Sequence, residues 1–204
     1  MSDSTAGVDN SRRNAIVATS VVGGVGALCT AIPFVSTFAP SERAKAAGGP
    51  VEVDISDLKP GEMKVSEWRG NPVWILYRTP DMLKSLDKTE SLVADPKSER
   101  EYQLPTPDYC KNQTRSRETK KDILVTVGIC SHLGCSPSKK FEGGDPSLPP
   151  DWAGGFLCPC HGSTFDLAGR VFKNKPAPVN LDIPRYMYLS DTKLVIGKDE
   201  KGEA

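Results

Sequence analysis

The reactive side chains of this sequence are concentrated in two short segments. These are Cys130-Ser131-His132-Leu133-Gly134-Cys135 and Cys158-Pro159-Cys160-His161-Gly162-Ser163. Both histidines of the 204-residue chain lie in them, as do four of its six cysteines. Gly and Pro punctuate each segment, so the ligand-type residues belong on loops rather than on a helix. Cys130 and His132 stand at i and i+2, which an extended backbone points to one side. Two such loops facing each other offer two thiolates and two imidazoles to a single object. Three chemistries compete for that set. Zinc takes four N/S ligands tetrahedrally, but its usual spacing pairs Cys with Cys and His with His, unlike this chain. A pair of disulfides leaves the flanking histidines unexplained. A [2Fe–2S] cluster with two Cys on one iron and two His on the other uses both histidines.

The elements that must carry these loops are mainly strands. Val51–Ile55 alternates apolar and acidic residues, as a half-buried strand does. Met63–Trp68 and Val73–Thr79 suggest a hairpin around Arg69-Gly70-Asn71-Pro72. Ile123–Val127, Gly169–Phe172, Leu181–Ile183, Tyr186–Leu189 and Lys193–Ile196 complete the set, with Asp191-Thr192 as a tight turn. One helix is expected, with Thr79 as N-cap, Pro80 at its first position, and Met82, Leu83 and Leu86 on one face. Residues 95–121 are polar and read as an irregular surface excursion.

Ahead of this head lies a different composition. Residues 1–13 are polar and end in Arg12-Arg13, and Asn14 to Ser41 holds no charge. An apolar run over 14–39 is long enough to cross a hydrocarbon core of roughly 30 Å as a helix. A cleaved signal would use a shorter apolar stretch of roughly 7–15 residues, so an uncleaved anchor is the expectation. The Arg pair before it resembles a twin-arginine export signal. Residues 40–50, rich in Ala and Gly and closed by Pro50, read as a hinge linker to a head at 51–204. The 26 basic and 26 acidic residues cancel. That balance argues against general nucleic-acid binding, which needs a basic surface.

On these residues the chain resembles the Rieske iron–sulfur subunits of bacterial quinol–cytochrome c oxidoreductases (respiratory complex III). The two loops carry most of the likeness. The apolar span, the linker, the Trp68-Arg69-Gly70-Asn71-Pro72-Val73 stretch and Pro176-Ala177-Pro178 extend it. The resemblance implies an all-β head of antiparallel sheets, a cluster-binding subdomain at about 128–180, and one N-terminal transmembrane helix. It implies that Cys130 and Cys158 bind the inner iron of one [2Fe–2S] cluster and that His132 and His161 bind the outer iron. Cys135 and Cys160 would then form a disulfide between the loops, which suits an oxidising compartment. Gly134 and Gly162 would turn the two loops beside their ligands. Leu133 would help form the docking surface, and Pro176-Ala177-Pro178 would shield the cluster. Ser163 resembles the serine whose hydroxyl bonds a bridging sulfide. Many family members carry Tyr where this chain has Phe165, so one hydrogen bond to a ligand sulfur would be absent and the potential lower. Lys175 stands where Gly is common. Cys29 and Cys110 match no motif and read as incidental thiols.

Function follows from the same resemblance. His161 would accept a hydrogen bond from quinol, and one electron would pass to the protein as a proton leaves. The head would then swing on the linker and deliver the electron to a c-type cytochrome subunit, contributing to a proton gradient. Neutral imidazole on one iron raises Rieske potentials to roughly −150 to +300 mV, and quinol, a mild reductant, requires the upper part of that range. The implied partners are a cytochrome b subunit, a c-type cytochrome and quinol, in a dimeric complex. The implied place is the bacterial inner membrane with the head in the periplasm. Alone, the chain would not be a complete enzyme. Alternatives are the small subunit of a periplasmic oxidase such as arsenite oxidase, and a zinc-stabilised binding module.

Overall fold

The computed structural model describes residues 10–41, 48–142, 146, 148 and 152–203. The chain divides into two units, Met1–Ala46 and Ala47–Ala204. Residues 42–47 of the expected linker, residues 1–9, and the Gly143-Gly144 and Pro149-Pro150 pairs lie outside the described residues.

The first unit is helix α1, Asn10–Ser36, with every side chain exposed. It is long and apolar enough to cross a membrane. Its hydroxyls are satisfied locally: Thr19 Oγ1 donates to the Ala15 carbonyl and Thr30 Oγ1 to Gly26, both at 2.9 Å. Such local satisfaction is what a low-dielectric span would demand, because no water would be there to satisfy the hydroxyls. The helix begins four residues before the expected span and ends three before it, the chain continuing as turns bonded to Pro33, Val35 and Ser36.

Among the described residues, the second unit holds three three-stranded antiparallel sheets and one two-stranded sheet. In one, β1 (Val51–Asp54) pairs with β9 (Lys193–Ile196), which pairs with β8 (Tyr186–Tyr188). In the next, β2 (Met63–Trp68), β3 (Asn71–Tyr77) and β4 (Ile123–Val127) lie side by side. Val73 to Leu76 and all of β4 are buried, so this sheet is the centre of the core. The third consists of β5 (Ser138–Lys140), β6 (Gly155–Leu157) and β7 (Thr164–Phe165). A hairpin of β10 (Lys198–Asp199) and β11 (Gly202–Glu203) follows β9. Helix α2, Pro80–Thr89, starts as its sequence predicts: Thr79 Oγ1 accepts from the Met82 N–H at 3.2 Å.

The β2–β3 turn is tighter than expected. Arg69 and Gly70 alone form it, at φ 52° and 74°, and Asn71 and Pro72 belong to β3. Two consecutive positive φ values make the turn whose twist matches that of the flanking strands. Two other expected strands are absent as ladders. Gly169–Phe172 contributes only isolated bridges, because Gly169 at φ 72° closes a turn between Asp166 and Arg170. Leu181–Ile183 runs as an extended segment, its backbone bonded to Gly169 and Val127.

The 95–121 stretch is not a surface excursion. Cys110, Arg115 and Ser116 are fully buried, beside short 3-10 turns at Asp108–Cys110 and Glu118–Lys120. Arg115 donates to the carbonyls of Ala168, Gly169 and Leu181 at 3.2, 3.2 and 2.7 Å. Arg78 does the same for Thr114 and Leu167, and donates to the Ser116 hydroxyl at 2.7 Å. Irregular backbone cannot satisfy its own carbonyls when buried, and here guanidinium forks do so.

Candidate metal centre

The two reactive segments fold into loops of one design. In the first, the Cys130 N–H donates to the Cys135 carbonyl at 2.8 Å, and the Gly134 N–H to the Cys130 carbonyl at 3.0 Å. In the second, the Cys158 N–H donates to Ser163 at 2.8 Å, and the Gly162 N–H to Cys158 at 3.0 Å. Gly134 and Gly162 turn the chain at φ 82° and 72°, a region where other residues are strained. The first loop joins β4 to β5, and the second joins β6 to β7.

This closure buries Cys130 and Cys158 completely, half-buries His132 and leaves His161 exposed. The two imidazoles stand edge to face, 4.7 Å between centroids. A disulfide joins Cys135 to Cys160. Burial pushes the Cys130 thiol up from its ordinary value, and the facing Cys158 thiol adds to this. The His132 N–H and the Ser163 hydroxyl act in the opposite direction. A metal binding here must therefore displace protons from sulfur.

The donor set fits a mixed-ligand [2Fe–2S] group. His132 Nδ1 is buried with no hydrogen-bond partner among the described residues, as a ligand nitrogen stands when its metal is left out. Two buried thiols sit with two imidazoles, which is the donor chemistry of such a cluster. A cavity of about 450 Å³ lies between Leu92, Trp152, Phe172 and Lys175, away from the four ligand candidates. The site is carried on two loops that reach the surface at His161 and Leu133.

A third loop closes over the first two. The Ala177 N–H donates to Ser163 Oγ at 3.0 Å, and Ser131 Oγ donates to the Val179 carbonyl at 2.7 Å. Asn180 holds the loop from behind, accepting from the Val171 N–H and donating to the Asp95 carbonyl, each at 2.9 Å. Pro176 and Pro178 remain exposed while Ala177 is buried. Leu133 projects to solvent at 69 % exposure, and Phe165 is fully buried. The disulfide and the two serine hydrogen bonds thus link the three loops that carry the ligand candidates and the Pro176-Ala177-Pro178 segment. The supporting residues Ser131, Arg115, Asp166, Arg170 and Asn180 were not anticipated. The Asp166-Leu167-Ala168-Gly169-Arg170 turn pattern carried a signal for two of them.

Fold and donor set together define a Rieske-type domain: a family model described as the Rieske [2Fe-2S] domain matches residues 110–187. A second, described as the ubiquinol–cytochrome c reductase Fe-S subunit TAT signal, matches residues 1–41. The ubiquinol-cytochrome c reductase iron-sulfur subunit of Allochromatium vinosum is 55 % identical over 96 % of this chain and 93 % of its own length. The subunit of the same name from Bradyrhizobium diazoefficiens is 36 % identical over 89 % and 90 %. The chain belongs to the family of ubiquinol–cytochrome c reductase iron–sulfur subunits. Among solved structures, a chain of a hyperthermophilic respiratory complex III is 26 % identical, with TM-score 0.43, covering 89 % of this chain and 98 % of its own.

Proposed function

We propose that Cys130 and Cys158 hold one iron of a Rieske [2Fe–2S] cluster, that His132 and His161 hold the other, and that His161 meets quinol. The protein is an electron-transfer subunit of a quinol–cytochrome c reductase, a complex III oxidoreductase, and works with cytochrome b and c-type cytochrome partners. The near full-length likeness to such subunits does not favour the arsenite-oxidase alternative. When bound, the cluster takes up and gives back one electron.

The chain's own residues do the rest. The exposed His161 offers its outward ring nitrogen to a quinol hydroxyl and takes the proton there. Leu133, exposed at the surface on the first loop, supplies an apolar contact that packs against a partner. Buried Cys130 and Cys158 stay dry, while Ala177 is held against Ser163 to close the third side. The Ser163 hydroxyl accepts from Ala177, so its own proton is free to point at sulfur. Helix α1 anchors the chain in the membrane, the head lies in the periplasm, and the 40–50 segment is the tether on which it moves between partners. We also assign the subunit to a dimeric complex.

One observation carries the reading: two buried thiols and two edge-to-face imidazoles on matched loops, with His132 Nδ1 orphaned. The purified membrane complex should show the electron paramagnetic resonance signal of a His-ligated [2Fe–2S] centre when reduced. His161→Ala should abolish it, and a signal that survives that substitution sinks the ligand assignment.

A further inference from the structure

The sulfurs of Cys135, Cys158 and Cys160 all lie within 4.8 Å of one another. Two of them form the loop-to-loop disulfide, and the third is a free thiol. A thiolate beside a disulfide is the reactant pair of thiol–disulfide exchange. We infer that in the cluster-free protein Cys158 attacks this disulfide and repairs it as Cys135–Cys158, releasing Cys160. The inference rests on the reading that Cys158 is a cluster ligand.

The step balances without an external oxidant. Cys158 Sγ, as thiolate, attacks Cys135 Sγ; the Cys135–Cys158 bond forms and the Cys135–Cys160 bond breaks. The electron pair leaves on Cys160 Sγ, which takes a proton equivalent to the one Cys158 gave up. Attack on Cys135 is favoured over attack on Cys160 for two reasons. Cys160 is exposed, so its departing thiolate is solvated, whereas Cys135 is half-buried. A Cys158–Cys160 bond would close a small ring over Pro159, whose φ is fixed.

The consequence is an ordering of events. Ligation occupies the Cys158 sulfur and removes the nucleophile. A chain left cluster-free consumes one of its own ligands and no longer accepts a cluster. Loading therefore has to precede, or outrun, the exchange, and the cluster protects the disulfide that braces it.

The test maps disulfides in the full chain in detergent, under anaerobic conditions, with iodoacetamide as the probe. Loaded protein should keep Cys135–Cys160 and leave Cys158 and Cys160 unlabelled. Protein stripped of iron by a chelator should gain Cys135–Cys158 and become labelled at Cys160. Cys130→Ser and Cys158→Ser each remove one sulfur ligand, so both give cluster-free chains without a stripping step. Only Cys130→Ser should show the new linkage. If stripped protein and Cys130→Ser both retain Cys135–Cys160 alone, the exchange is refuted. Exchange in the loaded protein with its resonance signal unchanged would support the exchange and overturn the ligand role of Cys158.

Discussion

Removing the carboxylate of Asp166 should loosen the cluster loops from behind. Asp166 follows Phe165, the end of the short strand β7 that the second loop enters. Its Oδ1 accepts from the N–H groups of Ala168 and Arg170 at 2.9 and 2.8 Å. Its Oδ2 accepts from Arg170 Nε at 2.8 Å and from the Thr89 hydroxyl at 3.1 Å. Both side chains of the Asp166–Arg170 pair are fully buried. Asp166→Ala strands two N–H groups and leaves the guanidinium with Glu90 as its remaining carboxylate. Breaking a buried pair from one side costs about 3–5 kcal/mol. For a head of this size each kcal/mol lowers the melting temperature by about 2–4 °C, so a fall of about 10 °C is expected. Asp166→Asn keeps the two backbone acceptor bonds and should fall between wild type and Ala. Asp166→Ala with Arg170→Met should recover part of the loss, because the buried guanidinium that lost its buried carboxylate is gone. Thermal melts of the detergent-solubilised chain, followed by circular dichroism and by visible cluster absorbance, measure all three. A fall below about 2 °C for Asp166→Ala, or a double variant no better than the single one, refutes the account.

Phe165→Tyr should restore a hydroxyl toward ligand sulfur. A hydrogen bond favouring the reduced state by about 1 kcal/mol raises the potential by about 40 mV, and protein-film voltammetry showing no rise refutes it. Ser163→Ala strands the buried Ala177 N–H and should cost about 1–3 kcal/mol, read as an earlier loss of visible absorbance on heating. Burial pushes the Cys110 thiol up to about 11 and the Tyr109 hydroxyl up to about 12. Both groups stay protonated in the folded state where the unfolded chain has lost the proton, so their stabilisation is complete below pH 9 and falls between pH 9 and 12. Urea midpoints measured at pH 8, 10 and 11 should decline in that order, and Cys110→Ala should soften the first part of the decline.

Residue type and spacing carried the site further than the fold. Cys130, His132, Cys158 and His161 stand out in the sequence because few chemistries use thiol and imidazole in such mixed pairs. Helix α2 was legible from its cap and its first-turn proline, and strands β4 and β9 from their β-branched, apolar runs. The 95–121 stretch departs from its expectation because polar composition does not by itself mean solvent exposure. Arg78 and Arg115 are among the most buried side chains of the head. Nothing local in a sequence tells a guanidinium that meets water from one that meets three carbonyls. Gly169–Phe172 failed for a related reason. Its apolar residues Val171 and Phe172 read as strand, while Gly169 and the Asp166 side chain had already committed the backbone to a turn.

The site is held by point links more than by regular structure. Strands β5, β6 and β7 span three, three and two residues, too short to fix loops by ladder bonds alone. The Cys135–Cys160 bond ties the first loop to the second. Ser131 ties the first to the third, and Ser163 ties the second to the third. Three loops joined pairwise by three links form a closed triangle, and no loop moves without straining two links. A centre that exchanges one electron benefits from this, since a preorganised polar environment has little to rearrange when charge arrives. Leu133 and His161 stand apart from this bracing: both are exposed and belong to none of the three links. Under the function proposed above, travel between donor and acceptor would fall to the whole head, because the triangle leaves its own loops no freedom to make the journey.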